Sequence, residues 1–344
     1  MPSAATSRAE RFGARSIIGV IEELLLVPSY SSRWAPATIA AHRGMALPLQ
    51  LVGQTRRWSV GSGSSAINLL SIGRAKLIEP LLVRLLGELP QAQEEARRML
   101  WSPESLASPE ADLVAAEVHR WMVSRFRLSG WVIVPEAVRW QGELTQVPPA
   151  EPHRSLIRDL RKIREHGFTI VQTTAPRDWD EFYIEMVLPQ ARSRHGDTAW
   201  LPSRRLMDEF AGAGTLHLII KDGVRVAGAC SLRRGDTLWL PLSGIRHGDP
   251  VLLRQGAGTA ALALTLEWAR AAGYRRVDAG RTGPFVNHGL QQFKRKWGLS
   301  PTPDPLAHVA AVWAGSRAAR QAFSRNPVLT EDGVALRTYA GEPV

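Results

Sequence analysis

The sequence predicts an α+β fold in which a mixed, mostly antiparallel sheet is flanked by helices. Three observations in the second half of the chain predict it. Two strand-like runs flank Asp222-Gly223, a pair whose residues accept the positive φ angles of a tight hairpin. Residues 178–192 carry apolar side chains at helical spacing. A strand at 276–279 then leads through a glycine-rich turn into a short basic helix.

The remaining elements follow in a clear order. Ser203 is a good N-cap, and Gly273 suits the left-handed position that ends a helix. The predicted series is a strand at 168–173, helices at 178–192 and 203–210, strands at 215–221, 224–232 and 237–242, an Ala/Leu-rich helix ending at Gly273, the strand at 276–279 and the basic helix. We expect the five strands to lie side by side in that order, because the hairpin and a short turn at Gly235 place consecutive strands next to each other.

The first 150 residues contain no comparable motif. A helix is predicted at 66–89, with an interruption at Pro80, and an amphipathic helix at 112–126. A short strand is predicted at 131–134. The three prolines of 146–152 indicate a linker between the two halves of the chain.

Composition limits the class of protein. A chain of 344 residues with 44% hydrophobic residues is long enough for two domains with packed cores. Its one cysteine, Cys230, excludes an internal disulfide framework and favours a reducing compartment. We find neither a signal-peptide pattern nor an apolar run of the roughly 20 residues that a membrane-spanning helix needs. We therefore expect a cytoplasmic protein, and the spacing of its nine histidines predicts no metal site.

The net charge of +11 has two interpretations. Residues 151–305 contain 23 Lys+Arg and 16 Asp+Glu, so this segment carries +7 of the total. Such an excess favours an anionic partner, either the phosphates of an acyl carrier or tRNA. However, only five of the 43 basic residues are lysines, which is also typical of the codon bias of a GC-rich genome.

The most specific motif lies at the end of the second half. Residues 277–285 read VDAGRTGPF, and residues 289–298 read GLQQFKRKWG. This motif and the order of elements resemble the GNAT acyltransferase fold. The motif is similar in particular to the FemABX and BioF2-like branch, whose members end a GNAT domain with a glycine-rich turn and a helix of this kind. The resemblance covers residues 153–305.

The resemblance implies a division of the chain into three parts. These are a GNAT-like acyltransferase domain at 151–313, a C-terminal helix and tail at 314–344, and a first part at 1–150. Family members often carry two GNAT-like halves, so the first part is either a degenerate GNAT-like copy or a helix-rich region of another kind.

The resemblance also implies a function. The expected activity is transfer of an acyl group from acyl-CoA, such as acetyl-CoA, to an amine of a small molecule or peptide. One alternative is a FemABX-like transferase that uses aminoacyl-tRNA. Another is a GNAT-like module that binds ligands without catalysis.

A donor site is predicted at the start of the Ala/Leu-rich helix. In a GNAT domain this region holds the pyrophosphate of acyl-CoA, and the matching residues here are Gln255, Gly256, Gly258 and Thr259. Glycines let backbone N–H groups approach phosphate oxygens, and a helix N-terminus adds a partial positive charge. Alternatively, Asp249-Pro250 begins this helix and the glycines only permit close packing.

Lys294 is the first candidate for a catalytic residue. The resemblance implies that the lysine after Phe293 lies near the transfer centre, where its ammonium stabilises the oxyanion of the intermediate. Phe293 itself is a candidate for substrate binding. The alternative for Lys294 is a solvated helix face shared with Arg295 and Lys296. No nucleophile with a base and an acid is apparent, so we expect direct transfer, with backbone N–H groups near 242–244 polarising the donor carbonyl.

Further candidates surround the expected acceptor site. Arg281 follows a strand and suits a carboxylate or phosphate, although an ion pair with Asp278 is an alternative. The resemblance places Arg194 and His195 in a loop beside the acceptor, where His195 is a candidate to take a proton from the attacking amine. A structural role is the alternative for His195. Cys230 is predicted to be a buried apolar side chain.

Overall fold

The structure, a computed structural model, describes residues 40, 52–61, 66–99, 102–196, 201–333 and 335–342. The described elements of the first half are β1 (Val52–Val60), β2 (Ile67–Ile72), α1 (Ala75–Leu86), β3 (Gln93–Met99), α2 (Pro103–Leu106), β4 (Leu113–Val118), α3 (Val123–Leu128), β5 (Val132–Pro135) and β6 (Val138–Glu143). The second half opens with α4 (Arg154–Glu165), β7 (Thr169–Thr173), α5 (Pro176–Glu181), a π-helical segment (Phe182–Val187), α6 (Leu188–His195) and α7 (Arg204–Ala213). It continues with β8 (Gly214–Lys221), β9 (Val224–Arg234), β10 (Thr237–Ile245), α8 (Pro250–Gln255), α9 (Ala257–Ala271), β11 (Arg276–Thr282), α10 (Gly289–Lys296), β12 (Ser300–Pro303), β13 (Val309–Ala314), α11 (Arg317–Arg325), β14 (Val328–Asp332) and β15 (Ala335–Tyr339).

One sheet confirms the predicted strand order of the second half. Its strands lie in the order β12-β6-β11-β10-β9-β8-β7, so the five predicted strands are neighbours in the predicted sequence. The β8–β9 hairpin turns at Asp222 and Gly223, which have φ angles of 50° and 77°. The Oγ of Ser203 accepts a hydrogen bond from the N–H of Leu206, as expected of the N-cap of α7. Five strands and their two main turns are therefore as predicted.

A second sheet organises the first half, with strand order β3-β1-β2-β4-β13-β5. The helix predicted at 112–126 is wrong, because this segment begins with the strand β4 and only its end is helical. All six residues of β4 are buried, so it is a central strand with both faces covered. Apart from Glu117, its residues are all apolar, and periodicity does not separate such a run from a buried helix. The helix predicted at 66–89 is likewise a strand, β2, followed by α1, which contains Pro80.

The two sheets exchange strands. β6, from the first half, lies between β11 and β12, and β13, from the end of the chain, lies between β4 and β5. If β3 and α2 are set aside in the first half and α8 in the second, the series β2–α1–β4–α3–β5–β6 has the same order as β10–α9–β11–α10–β12–β13, and in each series the first two strands are parallel neighbours. The described first half is thus built on a sheet, which favours the degenerate-copy alternative. After β13, the predicted C-terminal helix is α11, and the hairpin β14–β15 follows it.

Helices cover the second sheet and fix its position. α9 packs on one face through a row of small and apolar residues, among them Ala257, Ala261 and Leu266, together with Val226 and Leu238 of the sheet. The π-helical segment and α7 cover the other face in a separate apolar cluster. The functional residues described below lie where this sheet divides.

Candidate functional site

β10 and β11 separate halfway along their length. They pair in parallel from Thr237 to Trp239 of β10, and no pairing follows. Beyond this point β10 stays with β9 as far as Ile245, whereas β11 stays with β6. Because successive N–H groups of a strand point to opposite sides, alternate N–H groups of residues 242–245 face the gap that β11 has left. The sheet therefore opens into a cleft bordered by backbone donors, at the place where the sequence predicts the transfer centre.

β11 makes a sharp irregularity at the start of this cleft. Its register with β6 shifts between Asp278 and Arg281. Gly280 has a φ angle of 76°, and a Cβ atom there would lie 2.9 Å from the carbonyl oxygen of Leu240. The Oδ1 of Asp278 accepts a hydrogen bond from the N–H of Gly280 at 2.9 Å. Only glycine adopts this positive φ angle and fits beside the carbonyl oxygen of Leu240 without strain. Gly280 therefore specifies the bend in β11.

Lys294 reaches the bend from α10. Its side chain is buried, with 6% of its surface exposed, and Nζ donates to the carbonyl oxygens of Gly280 at 3.2 Å and Arg281 at 3.1 Å. The solvated-face alternative is therefore wrong for Lys294, while Arg295 beside it is exposed. Burial lowers the pKa of Lys294 to about 7, although the negative charge of Asp278 acts to raise it. Near neutral pH the amine can thus exist with or without its third proton.

Asp278 and Arg139 form a buried ion pair next to the bend in β11 that Lys294 contacts. A guanidinium nitrogen of Arg139 donates to Oδ2 of Asp278, and only 4% and 1% of the two side chains are exposed. Nε2 of Gln141 donates to the same oxygen at 2.9 Å. The predicted alternative of an Arg281–Asp278 pair is therefore wrong. The bend in β11 separates these two residues, and β6 offers Arg139 to the carboxylate instead.

The side chain of Arg281 is anchored away from Asp278. Its Nε lies 2.6 Å from Oδ2 of Asp304, a fully buried carboxylate, and Nη2 lies 3.9 Å from Glu136. The guanidinium is still 37% exposed, so one edge faces solvent. Arg281 thus combines a structural ion pair with an accessible cation.

The residues of the predicted donor site lie where one short helix ends and a longer one begins. Asp249 caps α8 by accepting from the N–H of Val251 at 2.6 Å, so a helix does begin there. Gly256, with φ of 100°, then interrupts the chain, and the 15-residue helix α9 begins at Ala257. A second, longer helix therefore has its N-terminus at the glycines, and its first N–H groups have no acceptor within the helix.

The N-terminus of α9 lies at the open end of β10. A Cβ atom at Gly258 would lie 3.6 Å from Ile245, the last residue of that strand, at ordinary contact distance. Thr259 is buried and Gln255 half-buried. Nζ of Lys162 donates to the carbonyl oxygen of Arg254 at 2.8 Å, which adds a cation beside the glycines. The four predicted donor residues are therefore together, next to the cleft.

Arg194 and His195 lie at the end of α6. Arg194 is exposed, and the side chain of His195 lies outside the described part of the structure. α6 packs against the turn after β10, where a Cβ atom at Gly248 would lie 3.0 Å from the carbonyl oxygen of Pro189. This segment thus borders the open end of β10.

Phe293 belongs to the core rather than to the open cleft. It is half-buried against the apolar cluster under α9, and its ring lies beside Trp297 and beneath Nζ of Lys296, 5.1 Å from the ring centroid. Phe293 therefore anchors α10, which directs the next residue, Lys294, toward β11. A direct contact of Phe293 with substrate stays a prediction.

Sequence reasoning missed three polar residues near the cleft. Arg139 and Gln141 alternate on β6, and a period of two polar residues within a strand is the signal that indicates them. Gln291 is fully buried, its Nε2 donates to the carbonyl oxygen of Gly283 at 2.5 Å, and its Oε1 has no partner within the described residues. No single-residue pattern predicts these roles.

Cys230 is buried as predicted, and burial raises the pKa of its thiol to about 12. A protonated, enclosed thiol is a poor nucleophile. Within the described residues, no cluster of three or more His, Cys, Asp or Glu side chains suits a metal ion. None of the described helices combines the length and apolar character needed to cross a bilayer.

Residues 152–295 match a family model described as an acetyltransferase (GNAT) domain. The predicted GNAT resemblance is thereby confirmed, and this segment is a GNAT domain. No curated protein matches the chain in sequence.

Three solved structures are similar at low identity. The C-terminal domain of a putative lysylphosphatidylglycerol synthetase from Agrobacterium fabrum is 16% identical, with 77% of this chain and 82% of that chain covered and a TM-score of 0.40. FemX is 12% identical, with coverage of 86% and 96% and a TM-score of 0.41. A tandem GNAT protein from the clavulanic acid biosynthesis pathway is 11% identical, with coverage of 86% and 95% and a TM-score of 0.34. Because all three TM-scores are below 0.5, the assignment of residues 152–295 to a GNAT domain depends on the family match alone.

Proposed function

Since residues 152–295 form a GNAT domain, we propose that the protein is an N-acyltransferase. The acyl donor is an acyl-CoA, acetyl-CoA in the simplest case, and the acceptor is an amine of a small molecule or peptide. The observation that carries this proposal is the divergence of β10 and β11, together with the buried Lys294, whose amine bonds to the carbonyl oxygens of Gly280 and Arg281 on β11.

The donor binds with its pyrophosphate at the N-terminus of α9. Gln255, Gly256, Gly258 and Thr259 form this site, where unpaired N–H groups and the helix dipole favour an anion. Because α9 begins at the open end of β10, the pantetheine arm extends from there into the cleft. The thioester then lies beside the backbone N–H groups of residues 242–244, which polarise its carbonyl.

Transfer is direct. The acceptor nitrogen attacks the thioester carbonyl, an N–C bond forms, and the C–S bond breaks to release the CoA thiolate, while the nitrogen loses a proton. Two hydrogens of Lys294 are held by the carbonyls of Gly280 and Arg281, so its third position is available to the oxyanion of the intermediate. We place Arg281, Arg194 and His195 on the acceptor side, with His195 as the base.

We also propose that the first half is a degenerate GNAT copy without a second active site. β2 passes through Gly73 directly into α1, and a Cβ atom at Gly73 would lie 2.6 Å from Cβ of Glu117 on β4. The guanidinium of Arg74 bonds to the carboxylate of Glu117, which is buried. This pair closes the gap between β2 and β4, at the place that matches the cleft between β10 and β11. The proposed division of the chain is then a degenerate GNAT-like part at 1–150, a GNAT-like acyltransferase domain at 151–313, and a C-terminal helix and tail at 314–344.

The donor site can be tested at Gly258. A residue other than glycine at position 256 is strained because its φ is 100°, so variants there confuse binding with folding. Gly258 has ordinary space for a side chain. A glutamate in the first turn is favourable for the helix but repels phosphate. We expect Gly258→Glu to weaken CoA binding in calorimetry by about tenfold or more, with an unchanged melting temperature.

Gly258→Gln is the matched control, since it has the same shape without the charge. Equal CoA affinity in both variants and the wild type refutes the proposed donor site. Salt-sensitive binding of aminoacyl-tRNA in place of CoA supports the FemABX-like alternative. Binding of neither ligand supports the catalytically silent module.

A further inference from the structure

A buried charge pair connects the first half of the chain to Lys294. We propose that Asp278, held by Arg139, is the positioning residue of Lys294, and that the first half thereby completes the site through β6. The function of Lys294 in this inference depends on the proposed acyl transfer. The positioning itself does not.

A single residue, Gly280, joins Asp278 to Lys294. The carboxylate of Asp278 accepts from the N–H of Gly280, and the ammonium of Lys294 donates to the carbonyl oxygen of the same residue. Asp278 therefore fixes the bend that presents the carbonyls of Gly280 and Arg281 to the amine. Without that bend, the regular pleat of β11 would turn neighbouring carbonyls to opposite sides of the strand.

Arg139 holds Asp278 in this orientation. Register pairs Asp278 with Gln141 and Arg281 with Arg139, so the two polar residues of β6 face the irregular part of β11. Both donate to the same oxygen, Oδ2, which leaves Oδ1 for Gly280. β6 precedes the linker at 146–152, so a strand of the first half supplies these donors.

The pair also sets the charge around the amine. Asp278 on β11 acts to raise the pKa of Lys294, and Asp278 itself is paired with Arg139 on β6. Arg281 turns to Asp304, and Lys296 on α10 pairs with Asp159 of α4. Loss of Asp278 removes a negative charge that acts on the amine, and loss of Arg139 removes the positive charge that is paired with Asp278. The two losses must therefore move the protonation midpoint of Lys294 in opposite directions.

The chain offers a direct way to measure this midpoint. It has only five lysines, so protein labelled with carbon-13 at the lysine ε position gives five resonances, and Lys294→Met identifies the one of interest. The full-length protein is titrated by NMR without donor or acceptor. We expect Asp278→Asn to lower the midpoint and Arg139→Met to raise it, each by about one pH unit or more.

The outcomes separate positioning from a merely structural role. Unchanged midpoints, or shifts in the same direction, overturn the proposal. If a single variant does not fold, the double variant Arg139→Met/Asp278→Asn has no unpaired buried charge. Its midpoint should lie above that of Asp278→Asn or below that of Arg139→Met, whichever of the two folds, and the opposite order overturns the proposal. Because this titration needs no turnover, a failure of CoA binding does not affect it.

Discussion

Replacement of Lys294 by methionine should change how protein stability depends on pH. Burial lowers the pKa of this lysine from 10.5 to about 7 in the folded protein. Between these two values the unfolded chain binds one proton more than the native state. The free energy of unfolding of the wild type must therefore rise with pH in this window. Below pH 7 both states bind the proton, so Lys294 no longer makes the free energy of unfolding depend on pH. Lys294→Met has no such contribution.

The magnitude follows from the proton difference. One proton corresponds to about 1.4 kcal/mol per pH unit, so the wild type should gain about 2 to 3 kcal/mol relative to Lys294→Met between pH 7.5 and 9.5. The loss of hydrogen bonds to Gly280 and Arg281 also destabilises the variant. That loss is nearly the same at each pH, so it changes the offset between the two proteins and leaves the slope unchanged.

Urea unfolding at pH 7.5, 8.5 and 9.5 measures this slope. Lys296→Met is the matched control, because it removes a lysine of the same helix whose amine pairs with Asp159 nearer the surface. Parallel pH profiles of the wild type and Lys294→Met would show that the amine is an ordinary lysine in the folded protein. The reasoning about its burial would then be refuted.

Other predictions concern residues on β8, β9 and α10. Burial lowers the pKa of His217 to about 4, so between pH 6.5 and 4 the unfolded chain binds more protons than the native state. As the pH falls through this range, the free energy of unfolding of the wild type should decrease by about 1.4 kcal/mol per pH unit relative to His217→Gln, as measured by urea unfolding. Cys230 should resist a thiol reagent in the native protein and react fully in urea, and rapid native labelling would contradict its burial. Lys294→Ala should lower turnover by about 10² to 10³ with a small change in KM, and unchanged steady-state kinetics would remove Lys294 from the mechanism.

Local signals in the sequence predict much of the second sheet. The Asp222-Gly223 turn and the Ser203 cap each depend on neighbouring residues, and the structure confirms both. The motif at 289–298 also singles out Lys294, whose function stays a prediction. Its burial depends on how α10 packs against β11, and a helix of three consecutive cations does not specify which one faces inward.

Long-range pairing is what the sequence could not predict. β4 is buried on both faces, so it lacks the alternation that distinguishes a strand from a helix. β6 and β13 each pair with strands of the opposite half, and nothing local in either strand indicates the exchange. Arg281 was the wrong prediction for the partner of Asp278 for the same reason, since the observed partner, Arg139, lies 139 positions away in sequence.

The central claim is that this protein transfers an acyl group to an amine at the cleft between β10 and β11. The most direct test incubates the protein with acetyl-CoA labelled in the acetyl group and with a mixture of amine metabolites and peptides, followed by mass spectrometry. We predict labelled amides with the wild type and Lys296→Met, and at least about a hundredfold less with Lys294→Met. No labelled amide with the wild type, or equal labelling with Lys294→Met, would contradict the account.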